Sequence, residues 1–323
     1  MQRRVSVGVV LMFIGGLLVS PYAEGAAPAY PAKPVMLLVG YPAGGSTDIG
    51  ARIVAALAEK DLGQPMVVVN KAGAGGQICW TELTRQKPDG YYLGFINLPA
   101  LNTTILDPER KATFDIDSFV PIINQVLDPG VIYVRPDSPY KNLKDLVEDA
   151  KNHPGEVKAG TTGILSDDHL AILMIEEAAK VKFRIVHFDG DAPQVTALLG
   201  KQIDVNFLNV GGLTARVKAG NLRAIAVMDK ERSKFYPDVP TSVEQGYPTV
   251  ISSSTRGIAG PKGIPEPIVD KLQAVLKKAM ENPDHIQKMD QAGLAIKIMA
   301  GKEYAKYVED LQEKTKKLMK LAR

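Results

Sequence analysis

Short apolar runs alternate with amphipathic segments along most of the chain. Residues 35–39, 66–69 and 92–96 are apolar runs of strand length, and residues 47–62 and 76–86 carry apolar side chains at helical spacing. Alternation of strands and helices is typical of α/β layers built on mostly parallel sheets. The pattern therefore predicts an α/β fold for the first part of the chain.

A second set of alternating elements follows. Strands are predicted at residues 120–125 and 131–134, on either side of a turn at residues 128–130, and further strands and helices continue the alternation. After an irregular, proline-rich connection, amphipathic helices at residues 268–281 and 302–321 close the sequence.

The layout predicts two lobes. A chain of 323 residues exceeds what one core usually holds. We predict that residues 30–130 and 231–323 form lobe 1 and that residues 131–230 form an inserted lobe 2, so that two chain crossings make a hinge. Ligands of such folds bind beyond the carboxyl ends of the parallel strands. The cleft between the lobes is therefore the predicted site.

The first 25 residues have the pattern of a secretory signal peptide. Arg3 and Arg4 precede an apolar run at residues 5–19, which is followed by small residues. The run is shorter than the ~20 residues of a membrane span, although a retained anchor is the alternative. We expect export with cleavage after Gly25 or, second, after Ala27.

The cysteine content and the net charge exclude several kinds of site and partner. Cys79 is the only cysteine, which excludes a lipid attachment site near the N-terminus, an internal disulfide framework and a cysteine-based zinc site. The net charge is only +3, and the lysines of residues 302–323 alternate with acidic residues as on a solvated helix face. With a single tryptophan, no stacking platform for nucleic acid is expected. We expect an exported monomer without a metal or cofactor.

Two glycine-rich loops are the candidate binding elements. Residues 41–48 follow the first predicted strand and residues 70–76 follow the second, and each loop leads into a predicted helix. Glycine lets the backbone approach a ligand, and a helix start offers unpaired N–H groups and the positive end of the helix dipole. Neither loop has a basic residue placed for a phosphate, which favours a carboxylate ligand. The alternative is that both loops are only tight turns.

Nucleotide and hydrolase motifs are incomplete. A phosphate-binding P-loop needs a lysine after its last glycine, but Gly45 is followed by Ser46. In the second loop, Ile78 occupies the third glycine position of a dinucleotide fingerprint. Ser46 is followed by Thr47-Asp48, so it lacks the second glycine of the Gly-x-Ser-x-Gly hydrolase elbow. His169 could act as a base, but packing at a helix start is the favoured interpretation, so we do not predict an enzyme.

Backbone donors are sufficient to hold a carboxylate. A carboxylate has about four lone-pair sites, and hydrogen bonds to a charged group contribute ~1.5–3 kcal/mol each. Helix termini add ~0.3–1 kcal/mol apiece, so the sum approaches the ~8 kcal/mol of a micromolar complex. Asp48 would repel the ligand, and we expect it to cap backbone N–H groups instead of contacting the ligand.

The two loops resemble the paired signature of the tripartite tricarboxylate transporter solute-binding receptors of the Bug type. The resemblance covers YPAGGSTDIGAR at residues 41–52, NKAGAGG at residues 70–76, and shorter segments at residues 88–91, 166–170, 198–204, 218–224 and 237–241. It implies a type II periplasmic binding protein with two α/β lobes, a hinge and an interlobe cleft. It further implies a receptor that closes on a di- or tricarboxylate and delivers it to the transporter's integral membrane subunits.

The resemblance also implies the ligand-binding residues. Lobe 1 would hold one carboxylate through the two loops, at Tyr41, Ala43, Gly44, Ser46, Thr47, Gly73, Ala74, Gly75 and Gly76. Lobe 2 would contact the far end of the ligand through Thr161, Thr162, Gly163, Ser166, Asp189 and the segment from Asn206 to Asn209.

Lobe 2 departs from the family pattern. Phe188-Asp189-Gly190 stands where relatives often have Pro-Tyr-Lys-Gly, and Thr255-Arg256 stands where a Trp-Tyr pair is usual. Arg256 has two interpretations, pairing with a second ligand carboxylate or a surface or interlobe role. The identity of the ligand stays open. A receptor for a signalling sensor kinase and, on Ser46 and His169 alone, a hydrolase are the alternative functions.

Overall fold

The computed structural model describes residues 30–211 and 213–322. The predicted signal peptide at residues 1–25 lies outside this range. Within the described part, none of the helices combines the length and the apolar character needed to cross a membrane.

The described residues form helices and strands in alternation. Lobe 1 begins with β1 (Val35–Val39), α1 (Ser46–Leu62), β2 (Met66–Asn70), α2 (Gln77–Thr84), β3 (Tyr92–Leu98) and α3 (Ala100–Leu106), and β4 (Phe119–Val134) leads out of it. Lobe 2 contains α4 (Leu143–Asn152), β5 (Lys158–Thr161), α5 (Asp167–Ala179), β6 (Arg184–His187), α6 (Asp191–Leu199), β7 (Val205–Asn209), α7 (Thr214–Lys218) and β8 (Arg223–Met228). The chain returns through β9 (Ser253–Pro261) and ends in lobe 1 with α8 (Glu266–Glu281), α9 (Pro283–Gln291), β10 (Ile296–Ala300) and α10 (Gly301–Leu318).

Two sheets share the strand β4. The lobe 1 sheet has the order β2-β1-β3-β9-β4, with β10 also paired to β4. In lobe 2 the order is β6-β5-β7-β4, and β8 also pairs with β4. The parallel pairs are β1–β2, β1–β3, β5–β6 and β5–β7, whereas all pairs made by β4 and β9 are antiparallel. The sheets are therefore mixed, and the expectation of mostly parallel sheets was wrong.

The predicted turn at residues 128–130 is also wrong, because β4 runs without interruption from one lobe into the other. Asp128 and Pro129 stay extended and lie opposite Ser254 and Ser253 of β9. From Gly130 onward the same strand pairs with β7 and β8. Proline has no N–H to donate within a sheet. Pro129 is the last β4 residue paired with β9, and pairing with β7 and β8 begins at Gly130, so the missing donor lies where the strand passes from one sheet to the other.

Strand alternation builds a core on both faces of the lobe 2 sheet. Ile132 and Val134 of β4 belong to the cluster on one face, whereas Val131 and Tyr133 belong to the cluster on the other. Successive strand residues point to opposite faces, so the one strand contributes to both clusters. Both faces are covered by helices, which leaves the carboxyl ends of the strands for the cleft.

The connection at residues 229–252 packs against lobe 2. Tyr236 and Val250 in this segment are buried in the two clusters of that lobe. We therefore propose that the inserted lobe extends from about residue 130 to residue 252, further than the predicted boundary at residue 230. The second crossing would then lie at the start of β9, beside the crossing of β4.

Helix α1 begins directly at the first glycine-rich loop. Its residues Ala51, Val54, Ala55, Ala58 and Leu62 are buried in the lobe 1 core, at the spacing of one helix face. The helix starts at Ser46 after Gly45, and no side chain of this loop caps its first N–H groups. The first of them, the N–H of Ser46, bonds instead to a residue of lobe 2 across the cleft.

Candidate functional site

A small cavity of about 30 Å³ lies between the lobes. Residues from both lobes and from the crossing strand β9 line it: Tyr41, Pro42, Gly45, Ser46, Thr47, Asn97, Ala100, Thr162, Ser166, Asp167, Asp191, Ala192, Ser254 and Arg256. A space of this size holds one or two water molecules, whereas ligand pockets usually measure about 300–1,000 Å³. The lobes are therefore closed against each other around this cavity.

A carboxylate of lobe 2 occupies the start of α1. Oδ2 of Asp191 accepts a hydrogen bond from the backbone N–H of Ser46 (3.2 Å) and another from the Ser46 hydroxyl (2.7 Å). Asp191 is the first residue of α6 and comes from the opposite side of the cleft. It supplies the cap that α1 lacks, and it shows that this helix start accepts a carboxylate.

Asp48 fixes the first loop and does not line the cavity. Its carboxylate accepts from the Gly44 N–H (2.9 Å), from Nε of Arg52 (3.0 Å) and from Nδ2 of Asn70 (2.9 Å). Burial alone would raise the pKa of Asp48, but these hydrogen bonds outweigh it and lower the pKa. The expected capping role agrees with these contacts, and Asn70 also ties the two loops together.

The second glycine-rich loop faces lobe 2 but does not line the cavity. Its turn at Ala74–Gly76 contains Gly75 at φ 64°, and the carbonyl of Gly75 accepts from the Tyr41 hydroxyl (3.3 Å). Arg110 donates to the carbonyl of Ala74 (2.9 Å) and to that of Ile164 in lobe 2 (2.7 Å). This loop therefore contributes to the contact between the lobes.

On the lobe 2 side, the start of α5 lines the cavity. Ser166 caps this helix by accepting from the His169 N–H (3.2 Å), and the Thr162 hydroxyl donates to Asp168 (2.6 Å). Asp167 accepts from Nδ2 of Asn209 (2.8 Å). The polar groups of this lobe are thus held mainly by one another.

Two buried carboxyl groups at this helix start are difficult to ionise. Burial raises the pKa of Asp167, against the hydrogen bond from Asn209 and the charge of Arg256. Burial also raises the pKa of Asp168 strongly, and the neighbouring Asp167 adds to the rise. Like charges that are close together disfavour ionisation, and Arg256, the one basic residue among the described residues that line the cavity, only partly offsets the rise at Asp167.

Arg256 is an internal residue that joins the two crossing strands. Its Nη1 lies 2.6 Å from the carboxylate of Asp128, and its Nη2 donates to Oδ1 of Asn209 (3.2 Å). Burial raises the pKa of Asp128 to about 6 even though the guanidinium opposes the rise. Among the two interpretations of Arg256, these contacts favour the interlobe role, because its charge is already paired within the protein.

The predicted site residues divide into two groups. The cavity brings together Tyr41, Ser46, Thr47, Thr162 and Ser166. Outside it lie the exposed Ala43, Gly44 and Asp189, the second-loop residues Gly73, Ala74, Gly75 and Gly76, the buried Thr161 and Asn206, and the half-buried Gly163, which faces Gly75 of the second loop.

The structure places several residues at the cavity that the sequence did not indicate, above all Asn97, Asp167 and Asp191. Asp191 lies two residues beyond the predicted Asp189 and is the first residue of α6. A carboxyl end of a parallel strand followed by a helix start is where such folds bind ligands. That signal was present in the sequence but did not distinguish Asp189 from Asp191.

His169 belongs to the packing of lobe 2. Its Nδ1 accepts from the Leu165 N–H (2.9 Å), and its ring meets the edge of His187 at 4.8 Å. Burial, with a contribution from His187, lowers the pKa of His169 to about 4. The Ser46 hydroxyl donates to Asp191 instead, so this geometry does not pair Ser46 with His169.

The chain is similar to known binding proteins over nearly its whole length. Residues 50–322 match the family described as "Tripartite tricarboxylate transporter family receptor". A relative named "UPF0065 protein in gbd 5'region" from Cupriavidus necator is 31% identical over 94% of this chain and 91% of its own. The protein BugT from Bordetella pertussis is 31% identical over 79% of each chain.

Solved structures confirm the predicted fold. The periplasmic binding protein BugD matches with a TM-score of 0.83 and 32% identity, over 90% of this chain and 98% of its own. MatC from Rhodopseudomonas palustris, solved with bound malate, matches with a TM-score of 0.82 and 26% identity, over 90% of this chain and 99% of its own. The chain therefore belongs to the tripartite tricarboxylate transporter family of periplasmic solute-binding receptors.

Proposed function

We propose that this chain is an exported receptor that binds a small organic carboxylate in the interlobe cleft and delivers it to the membrane subunits of a tripartite tricarboxylate transporter. The observation that carries the proposal is the carboxylate of Asp191 on the N–H and hydroxyl of Ser46. A ligand carboxylate would replace Asp191 there. MatC, with its bound malate, is a related receptor whose ligand has this chemistry.

Binding requires the lobes to separate. A cavity of about 30 Å³ is too small for an organic acid, so the ligand would enter an open form and the closed form would reassemble around it. Closure of this kind is a population shift, driven only by contacts that the ligand makes with both lobes. A binding protein with such a cycle needs no catalytic group, and we propose that the chain is not an enzyme.

The first experiment is calorimetric titration of the purified protein with organic acids of two to six carbons, alongside Ser46→Ala. Because a hydrogen bond to a charged group contributes ~1.5–3 kcal/mol, the variant should bind about 10- to 100-fold more weakly. Ser233→Ala makes the same change outside the cavity and should leave the affinity unchanged. Undiminished affinity in Ser46→Ala, or no binding of any acid by the parent protein, would contradict the proposal.

A further inference from the structure

The cleft holds more acidic than basic groups. Asp167 and Asp191 both line the cavity, and among the described residues Arg256 is its one basic lining residue. Arg256 is already paired with Asp128 (2.6 Å) and bonded to Asn209 (3.2 Å). Within residues 30–211 and 213–322, neither Asp167 nor Asp191 has a salt-bridge partner.

In the part of the chain that the structure describes, the hydrogen bonds to these two carboxylates come from neutral donors. Asp191 accepts from the N–H and hydroxyl of Ser46, and Asp167 accepts from the amide of Asn209. Asp167 is only 7% exposed. Burial raises its pKa, and the charge of Asp191 adds to the rise against the opposing charge of Arg256. A ligand with a second negative charge would add to this repulsion.

Asn97 gives an independent sign of a donor-bearing ligand. Its side chain lines the same cavity, is 5% exposed, and donates through Nδ2 to Thr47 (2.8 Å). Its Oδ1 is buried and has no hydrogen-bond partner in the described part of the chain. Buried acceptors are normally satisfied, so this oxygen calls for an N–H or O–H donor from the cavity.

We propose that the cleft binds a ligand that carries a primary ammonium group as well as a carboxylate, that is, an amino acid in the broad sense. The ligand carboxylate would take the Ser46 donors, and the released Asp191 would join Asp167 and Asn97 around the ammonium group. An ammonium group has three donors and no acceptor, so it can donate one hydrogen bond to each of Asp191, Asp167 and Asn97. This inference rests on the proposed carboxylate receptor and names its ligand class.

Replacement of Asp191 by the ligand carboxylate at Ser46 would leave the net charge of the cleft unchanged, because a ligand with one ammonium and one carboxylate group is neutral overall. In the closed structure the start of α1 is capped by Asp191, and in the complex the ligand carboxylate would cap it. Asp191 would then lose its Ser46 donors, and the ammonium group would replace them. A dicarboxylate offers no such replacement and would leave Asp167 and Asp191 facing a further anion.

The test compares matched ligands in which an ammonium group replaces one carboxylate. Succinate, glutarate and adipate are titrated calorimetrically against β-alanine, 4-aminobutanoate and 5-aminopentanoate, using the purified protein. At least one amino acid should bind about tenfold more tightly than its dicarboxylate, because a charge-assisted hydrogen bond has that effect. Asp191→Asn and Asp167→Asn should each remove this preference.

Asp270→Asn is the control, because Asp270 is exposed on α8, lies outside the cavity and loses the same charge; it should retain the preference. Circular dichroism checks folding, and Asp191→Ser is a second variant if Asp191→Asn does not fold. If each dicarboxylate binds as tightly as the matching amino acid, and Ser46→Ala weakens that binding, this inference is overturned and the receptor proposal stays intact. If no probe of either series binds, both fail.

Discussion

At the residue scale, Asp191 and Asp48 show how position decides what an aspartate does. Both carboxylates lie near the start of α1, but Asp48 accepts from Gly44, Arg52 and Asn70 within lobe 1. Asp191 reaches the free Ser46 donors from the other lobe. The first stabilises a loop, whereas the second occupies the place that we assign to a ligand.

The buried Asp167 predicts a pH-dependent stability. Burial raises its folded-state pKa above the unfolded value, which is ~3.9 for aspartate. Its contribution to stability is therefore fully present below that value and is lost as the pH rises through the folded-state pKa. Asp167→Asn removes the ionisable carboxyl group and with it this loss of stability at high pH. The asparagine side-chain oxygen can still accept from Nδ2 of Asn209.

We therefore expect the melting temperature of Asp167→Asn to exceed that of the parent protein at about pH 8, with a difference that shrinks toward about pH 4. Differential scanning calorimetry over this range measures it. Asp189→Asn, at an exposed position, should show no such trend. A difference that does not depend on pH would show that ionised Asp167 does not destabilise the fold.

At the element scale, β4 and β9 determine how the lobes are joined. Both are crossing strands, and Asp128 on one is paired with Arg256 on the other. Both side chains are buried, with 0% and 4% of the side chain exposed. Breaking a buried ion pair by removing one partner costs about 3–5 kcal/mol, because the other charge is left uncompensated.

Arg256→Met should therefore lower the free energy of unfolding by about 3–5 kcal/mol. Adding Asp128→Asn to that variant should recover part of the loss, since no buried charge remains. Urea unfolding of the two single variants and the double variant measures the coupling. Additive losses would indicate that the two groups do not act as a pair.

At the scale of the whole molecule, contacts at several places around the cleft hold the lobes closed. Ser46 bonds to Asp191, and Arg110 donates to one carbonyl in each lobe. Beyond the end of α10, Met319 packs with Leu165 and Leu170 of lobe 2. Lys234 of the connection at residues 229–252 also pairs with Asp290 of α9 (2.7 Å). Opening for a ligand would therefore break polar and apolar contacts on more than one side of the cleft.

Arg110→Ala should shift the free protein toward the open form, because it removes both of these donors from the closed form. Small-angle X-ray scattering should then give a larger radius of gyration than for the parent protein. Lys111→Ala changes an exposed neighbour with the same charge and should have no effect. Identical scattering of Arg110→Ala and the parent protein would show that this bridge does not hold the lobes together.

Much of the fold was predictable from local patterns. The apolar runs and helical spacing indicated β1, α1 and β2 in their observed order, and the family resemblance implied two lobes. Helix α9 and strand β10 were missed, although Asn282 caps α9 and Pro283 begins it. Strand β10 is short and packs at the edge of β4, so its pairing depends on distant residues.

The sequence by itself determined the α/β character, the two glycine-rich loops and the family, because these follow from residues close together in the chain. It did not determine which residues meet in the cleft. Ser46 and Asp191 are 145 positions apart, and Asp128 and Arg256 are 128 apart. Only the path of β4 and β9 between the lobes brings them together, and the balance of charge in the cleft depends on that path.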